Sequence, residues 1–447
     1  MALNTLTLPK RWLQRRVPPP RRGPLSLMAG PLGYGRRGLR FTELLFLAVF
    51  SLGYLLTVSS PVFGFQAHHT FLNHFSLVLM GPVLALHVVG LVINRPATPW
   101  ARLLGASLPL IVLGLFALVG STIARWEFDV QETFLAFAVY MLLLPLYASL
   151  TADGERLWAW ALALITIWLL FSLAAVVGQI ARFGSRATLH ELEYLVMAGF
   201  LALYYATRLG VLKVVAVVLI LGTAVIDQKL TGYIVAALAM LHIVVTAGWR
   251  RLPASYRGLY GVGALVFSAA VAATLALLYF EFREHMPSGN VEVRLNQYEL
   301  AMRQFFDSPV WGAAYLDGSG EVFMQANRAL NIPTHSDVLD LLKHGGLIAF
   351  GLFVWGYGKI IQIVNRAVVA TAEQRLVNAY FVGARFFIIT ALLTFSFNPL
   401  LLKGPYLIVI WGNLGLALGM ALAVLKRVDA SPAAAWASPG PGTGLKA

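Results

Sequence analysis

The chain has 447 residues, 59% of them hydrophobic and 12% charged, with a mean hydropathy of +0.74. A soluble domain carries about 25% charged residues, so composition excludes a soluble enzyme and a disordered chain and specifies a polytopic membrane protein. The net charge of +14 lies between apolar runs rather than in a patch suited to nucleic acid, and the absence of cysteine excludes disulfides, thiol nucleophiles and Cys-type metal sites.

Residues 1–40 carry nine Lys and Arg and no acid, too long a leader for a signal peptide, so the first apolar run reads as an uncleaved helix. Twelve apolar segments follow, near 42–59, 72–94, 103–123, 133–150, 158–178, 191–207, 211–226, 231–248, 258–280, 345–363, 379–397 and 405–425. Backbone groups in hydrocarbon must be paired within their own segment, so these are helices. With the basic end placed inside and the spans alternating, 23 of the 34 Lys and Arg fall inside and ten outside, with Arg385 within a span. That asymmetry predicts both termini inside. The resulting divisions are a basic segment 1–40, spans one to nine over 41–281, an outer loop 282–343, spans ten to twelve over 344–425, and an Ala, Pro and Gly-rich tail 426–447 expected to be disordered. The fold class is all-α, about twelve transmembrane helices with one large outer loop containing amphipathic helices between the ninth and tenth. No internal repeat is visible, which weakens an inverted-repeat transporter.

The outer loop is the one long connection, and long ordered loops are usually functional. Within it, residues 293–306 have helical periodicity. Leu295, Tyr298, Met302, Phe305 and Phe306 form the expected apolar stripe, with Arg294, Gln297 and Arg303 off it, as in a helix lying in the membrane interface. Asp307-Ser308-Pro309 ends it. A second helix is expected to start in THSDVLDLLK (334–343), with Thr334 as cap and Asp337 completing a capping-box-like pair. His335 then sits in the first turn, where the helix dipole disfavours imidazolium. A neutral imidazole can act as a general base; a surface capping residue is the other reading. Gly345-Gly346 offer a bend into the tenth span.

Several cations fall outside, against the positive-inside tendency: Arg182 and Arg186 around Gly184, Lys229 between the seventh and eighth spans, and Arg294. A diphosphate is a natural partner, Arg binding its oxygens as a fork and Lys as a point charge. Salt bridges to Glu191, Glu193, Asp227 or Glu292 are the alternative. His68, His69 and His74 lack the company a metal site needs, and Glu127 with Asp129 forms an acidic pair in the second outer loop. No phosphate loop, zinc-protease motif or nucleophile elbow is present.

This layout resembles the O-antigen ligase and O-antigen polymerase superfamily of bacterial inner membranes, most closely the ligase. The resemblance rests on about twelve spans with both termini inside and one large late periplasmic loop. At motif level it rests on Arg294 opening the loop, SPVWG at 308–312, and THSDVLDLLKHGGLIAFGL at 334–352. Where many members carry Ser-Arg, this chain has Gln228-Lys229, and Ser336 stands where Asn commonly follows the family His. The resemblance implies a metal-independent, cofactor-free glycosyltransferase that takes a glycan from undecaprenyl diphosphate in the periplasm. The acceptor would be a sugar hydroxyl of lipid A–core, with membrane lipids around it and no nucleic acid. His335 would be the catalytic base. Arg186, Lys229, Arg294 and Arg182 would hold the donor diphosphate, with Gln297, Ser336 and Asp337 in support. Attack opposite the leaving group would invert the anomeric centre. The polymerase, a lipid or polysaccharide transporter, and a metal-dependent transferase using Glu127 or Asp129 are the competing readings.

Overall fold

The computed structural model describes residues 38–63, 69–93, 100–123, 137–183, 192–227, 230–251, 288–315, 321–325, 328–332, 336–396 and 404–430, with isolated residues between 256 and 266. The described chain is overwhelmingly helical. In order the helices are α1 (Phe41–Phe63), α2 (His69–Ile93), α3 (Trp100–Ile123), α4 (Leu144–Thr151), α5 (Leu157–Phe183), α6 (Glu193–Ala206), α7 (Gly210–Asp227), α8 (Leu230–Arg251) and α9 (Ser288–Asp307). Then come strands β1 (Glu321–Gln325) and β2 (Arg328–Ile332), and helices α10 (Asp337–Ala370), α11 (Arg375–Phe395) and α12 (Gly404–Ala430). Among the described residues, five helices are long and apolar enough to cross a membrane, and six shorter apolar helices accompany them. This is a helical membrane protein. Nearly all of the ninth expected span, 258–280, lies outside the described residues, as do 1–37 and 431–447; residues 426–430, assigned to the tail by the sequence, continue α12 as helix.

The loop departs from the all-α expectation in one element. β1 and β2 pair antiparallel from Glu321↔Ile332 to Gln325↔Arg328. A two-residue connection, Ala326-Asn327, joins them, a length that suits a hairpin.

Helix α12 is the axis of the bundle: 94% of its apolar window is buried inside the protein. A helix apolar all round suits such a place, and small residues let neighbours approach closely. A Cβ on Gly412 would sit 2.5 Å from the Phe50 ring of α1. One on Gly415 would overlap Tyr147, and one on Gly419 the Ala148 carbonyl, both of α4. Two polar bonds lock the packing. Thr151 Oγ1 donates to the Leu416 carbonyl at 2.7 Å, and Trp168 Nε1 of α5 donates to Asn413 Oδ1 at 3.0 Å.

At one end of the bundle a charged clasp ties three helix ends together. Asp153 caps the short turn before α5, accepting from the Glu155 amide, and pairs with Arg156. Arg156 Nε lies 3.7 Å from Glu43 Oε2 of α1 and donates to the Gly38 carbonyl at 3.1 Å. Arg40 reaches Asp153 at 3.5 Å, and the guanidinium of Arg427, near the end of α12, lies against Gly154. The starts of α1 and α5 and the end of α12 therefore lie on one side.

Candidate functional site

The site region is built around a break in α10. Gly346 has φ +62 and ψ −161, which divides α10 into a short arm, 337–345, and a long arm, 347–370. A break in an apolar helix exposes backbone groups that need partners. The segment 308–315, SPVWGAAY, supplies them. The Lys343 carbonyl accepts from the Ala313 amide and the His344 carbonyl from the Tyr315 amide, both at 2.9 Å. On the other side of the break, Leu347 donates to the Pro309 carbonyl at 2.9 Å and Ile348 to the Val310 carbonyl at 3.3 Å.

Two glycines make this fit possible. A Cβ on Gly346 would overlap the Val310 carbonyl, and one on Gly312, also at positive φ (+60), would sit 2.6 Å from the Lys343 carbonyl. The Pro-x-x-Gly and Gly-Gly motifs of the sequence are thus two halves of one joint. Ala314 and Tyr315 also hold positive φ here, 51 and 58, an uncommon backbone for residues with a Cβ.

The short arm starts at Asp337 with Ser336 as its cap, the side chain accepting from the Leu339 amide at 3.3 Å. This corrects the expectation of Thr334 as cap: Ser336 adopts the extended N-cap backbone, φ −163 and ψ 110, the conformation from which a hydroxyl reaches the N3 amide. Ser336, Asp337, Asp340, Lys343 and His344 are all buried. Asp337, Asp340 and His344 recur at i, i+3, i+7, one face of a helix. Both acids lie in the first turn, where the dipole favours them.

Asp337 acts electrostatically on Tyr357 of the long arm. Tyr315 completes the group. It stacks on His344, ring centroids 6.4 Å apart, and meets Phe116 of α3 edge-on at 5.4 Å. Burial, and after it the Asp340 charge, push the Tyr315 phenol above its usual value. It therefore stays a neutral hydroxyl.

On helix α9 the expected stripe is divided: Phe305 is buried and Tyr298 and Met302 are half-buried. Gln297, Ala301 and Phe305 are buried, while Leu295 and Phe306 are exposed. The buried stripe runs at i, i+4, i+8, and the small Ala301 at its centre permits close packing. Arg294 falls three residues before Gln297, at the open end of this stripe, and is exposed. Arg303 pairs with Glu299 on the outer surface at 2.5 Å.

Of the sequence-derived site residues, Ser336 and Asp337 are buried at the start of the short arm, Gln297 is buried on α9, which packs against α10, and Arg294 is exposed on α9. Arg182 lies in the last turn of α5, its side chain not described. Arg186, Lys229 and His335 lie outside the described residues, as do Thr334, Glu127 and Asp129.

Sequence reasoning missed Tyr315, Asp340, Lys343 and His344. The available signal was three polar groups, Asp340, Lys343 and His344, at helical spacing inside VLDLLKHGGL, beside an apolar span. The partner of the in-span Arg385 was also missed. It is His242, whose Nε2 lies 2.5 Å from an Arg385 Nη. The sequence matches no protein-family model and no curated protein.

Proposed function

We propose that the chain is a bacterial inner-membrane glycosyltransferase of the O-antigen ligase type. It has twelve spans and both termini in the cytoplasm, and it works on the periplasmic side. The observation that carries this reading is the buried polar face Ser336, Asp337, Asp340, Lys343 and His344, which follows His335 directly and is pinned by the SPVWGAAY segment. Ionisable side chains in apolar helices are costly, and where they persist they mark function.

In the proposed reaction His335 takes the proton of an acceptor sugar hydroxyl. The oxygen attacks the anomeric carbon of the glycan, and the bond from that carbon to the undecaprenyl diphosphate breaks. The diphosphate leaves with the bonding pair, its charge met by Arg186, Lys229, Arg294 and Arg182. Approach from the face opposite the leaving group inverts the centre. Asp337 and Ser336 fix the start of the helix behind His335, and Gln297 fixes α9 behind Arg294.

The test is transfer of lipid-diphosphate-linked glycan to lipid A–core by the full-length protein in lipid nanodiscs. His335→Ala is expected to abolish transfer while the protein stays inserted and folded; near-normal transfer by that variant sinks the base assignment. In cells, deletion is expected to leave bare lipid A–core while long glycan accumulates on its carrier. A core capped by a single repeat, with no long glycan anywhere, would instead assign the polymerase.

A further inference from the structure

The end of the molecule that carries the Arg40–Asp153–Arg427 clasp also holds a cavity of about 280 Å³ where α6, α7, α8 and the start of α11 meet. Its polar lining is Tyr204, Tyr205, Thr207, Lys213, Thr246 and Arg375, two cations with three tyrosine or threonine hydroxyls beyond Tyr205 and no acid. Lys213 Nζ is held 5.3 Å from the centroid of the Tyr204 ring. Arg208, in the turn between α6 and α7, acts on Arg375 as a like charge. Among the described residues no ion pair joins an acid to Arg208, Lys213 or Arg375. Glu373, exposed in the turn before α11, forms none with them. Like charges drawn together around a cavity without a neutralising acid suit an anion.

A hydrogen-bonded relay behind the cavity points the same way. Arg385 of α11 lies half-buried with Asn365 Oδ1 at 3.4 Å and His242 Nε2 at 2.5 Å. A guanidinium only donates, so Nε2 accepts and the imidazole proton sits on Nδ1. Nδ1 then donates to the Tyr205 oxygen, 3.0 Å away. The Tyr205 hydroxyl hydrogen is thereby turned from the imidazole. The His242 carbonyl at 3.5 Å is one acceptor for it, at the long limit of such a bond, and an anionic oxygen in the cavity is a stronger acceptor. The relay presents a donor to the cavity and draws its polarity from a buried cation.

We propose that this cavity binds the phosphate of an acidic membrane lipid, with Lys213 and Arg375 on the phosphate oxygens and Tyr205 donating to one of them. A lipid fits better than a free phosphate because α7, which carries Lys213, has an exposed apolar face. Val211, Val214, Val218, Leu221 and Val225 are all exposed along it, a surface for acyl chains. This site is at the opposite end of the bundle from α9 and the break in α10, and it stands independently of the transfer reaction.

The experiment is native mass spectrometry of the full-length protein released from detergent, titrated with phosphatidylglycerol, phosphatidylcholine or inorganic phosphate. The wild type is expected to retain phosphatidylglycerol over phosphatidylcholine. The double variant Lys213→Gln, Arg375→Gln should weaken that retention about 30-fold, the loss of two near-surface cations. Tyr205→Phe should weaken it about fivefold, the loss of one hydrogen bond. Arg366→Gln removes a charge from the same side outside the cavity and should leave retention unchanged. Thermal unfolding of each variant separates loss of the site from loss of the fold, and Tyr205→Phe keeps the test open if the double variant unfolds. Equal retention by wild type and both cavity variants overturns the site. Displacement of the lipid by inorganic phosphate, through Lys213 and Arg375, overturns the lipid assignment and makes the ligand a soluble phosphate.

Discussion

Gly346 shows how much one residue decides. Its positive φ and its contact with the Val310 carbonyl leave no room for a side chain, and the break it permits is what lets SPVWGAAY bond to the backbone on both sides of it. Gly351, five residues on, has open space where a Cβ would go and lies in regular helix. The same substitution should therefore act oppositely at the two positions. Gly346→Ala is expected to destabilise by about 1–3 kcal/mol through strain at a special φ, and Gly351→Ala to stabilise by about 0.5–1 kcal/mol by restraining the unfolded chain. Thermal unfolding in detergent measures both, and equal shifts would show that the joint does not depend on this backbone. The buried carboxylates and His344 were legible only in part. Their spacing is in the sequence, but a polar helix face can turn to water or to protein, and only the packed SPVWGAAY segment shows which.

Among the elements, the clasp between α1, α5 and α12 is the part most open to test. Glu43 and Arg156 are both buried, 3% and 8% exposed, so removing Arg156 leaves the buried Glu43 carboxylate without its guanidinium partner. Arg156→Met is expected to cost about 3 kcal/mol. Adding Glu43→Gln to it should recover part of that loss, because the stranded charge is gone. A double-mutant cycle read by thermal unfolding tests this, and strict additivity would mean the pair is not coupled. Helix α9 teaches a complementary lesson. Its apolar stripe runs through Leu295, Tyr298, Met302, Phe305 and Phe306, and of these only Phe305 joins Gln297 and Ala301 on the buried face. The exposed apolar residues satisfy the interface as well as the buried ones satisfy the protein, so periodicity alone does not say which face meets α10.

At the scale of the whole molecule the question is which apolar helices face lipid and which face each other. Helix α7 exposes Val211, Val214, Val218 and Val225, while α12 buries nearly all of its length, although both are strongly apolar. The seam of Gly412, Gly415 and Gly419 is what seats α12 among α1 and α4. Gly419→Leu is expected to destabilise by about 3 kcal/mol or more, since its contact is backbone and cannot swing aside. Gly222→Leu on α7, where a Cβ would meet nothing within 4 Å, should be nearly neutral. A fluorescence-detected thermal melt of the two variants compares them directly, and similar melting temperatures would deny α12 its place as the axis.

The sequence by itself determined the class of protein, the apolar segments, the basic asymmetry and the loop motifs, because hydropathy and charge act locally on each segment. It also marked Arg385 as the deep charge, since a lone cation in an apolar run stands out. Only the tertiary structure decided which helix is central, that SPVWG and HGG interlock, and that Arg385 speaks to Tyr205 through His242. The physical reason is the same in each case. Lipid tails and protein interiors are equally apolar, so transfer from water fixes that a segment is embedded but not what it is embedded against. That second choice rests on shape, small residues and a few buried hydrogen bonds between residues distant in the chain.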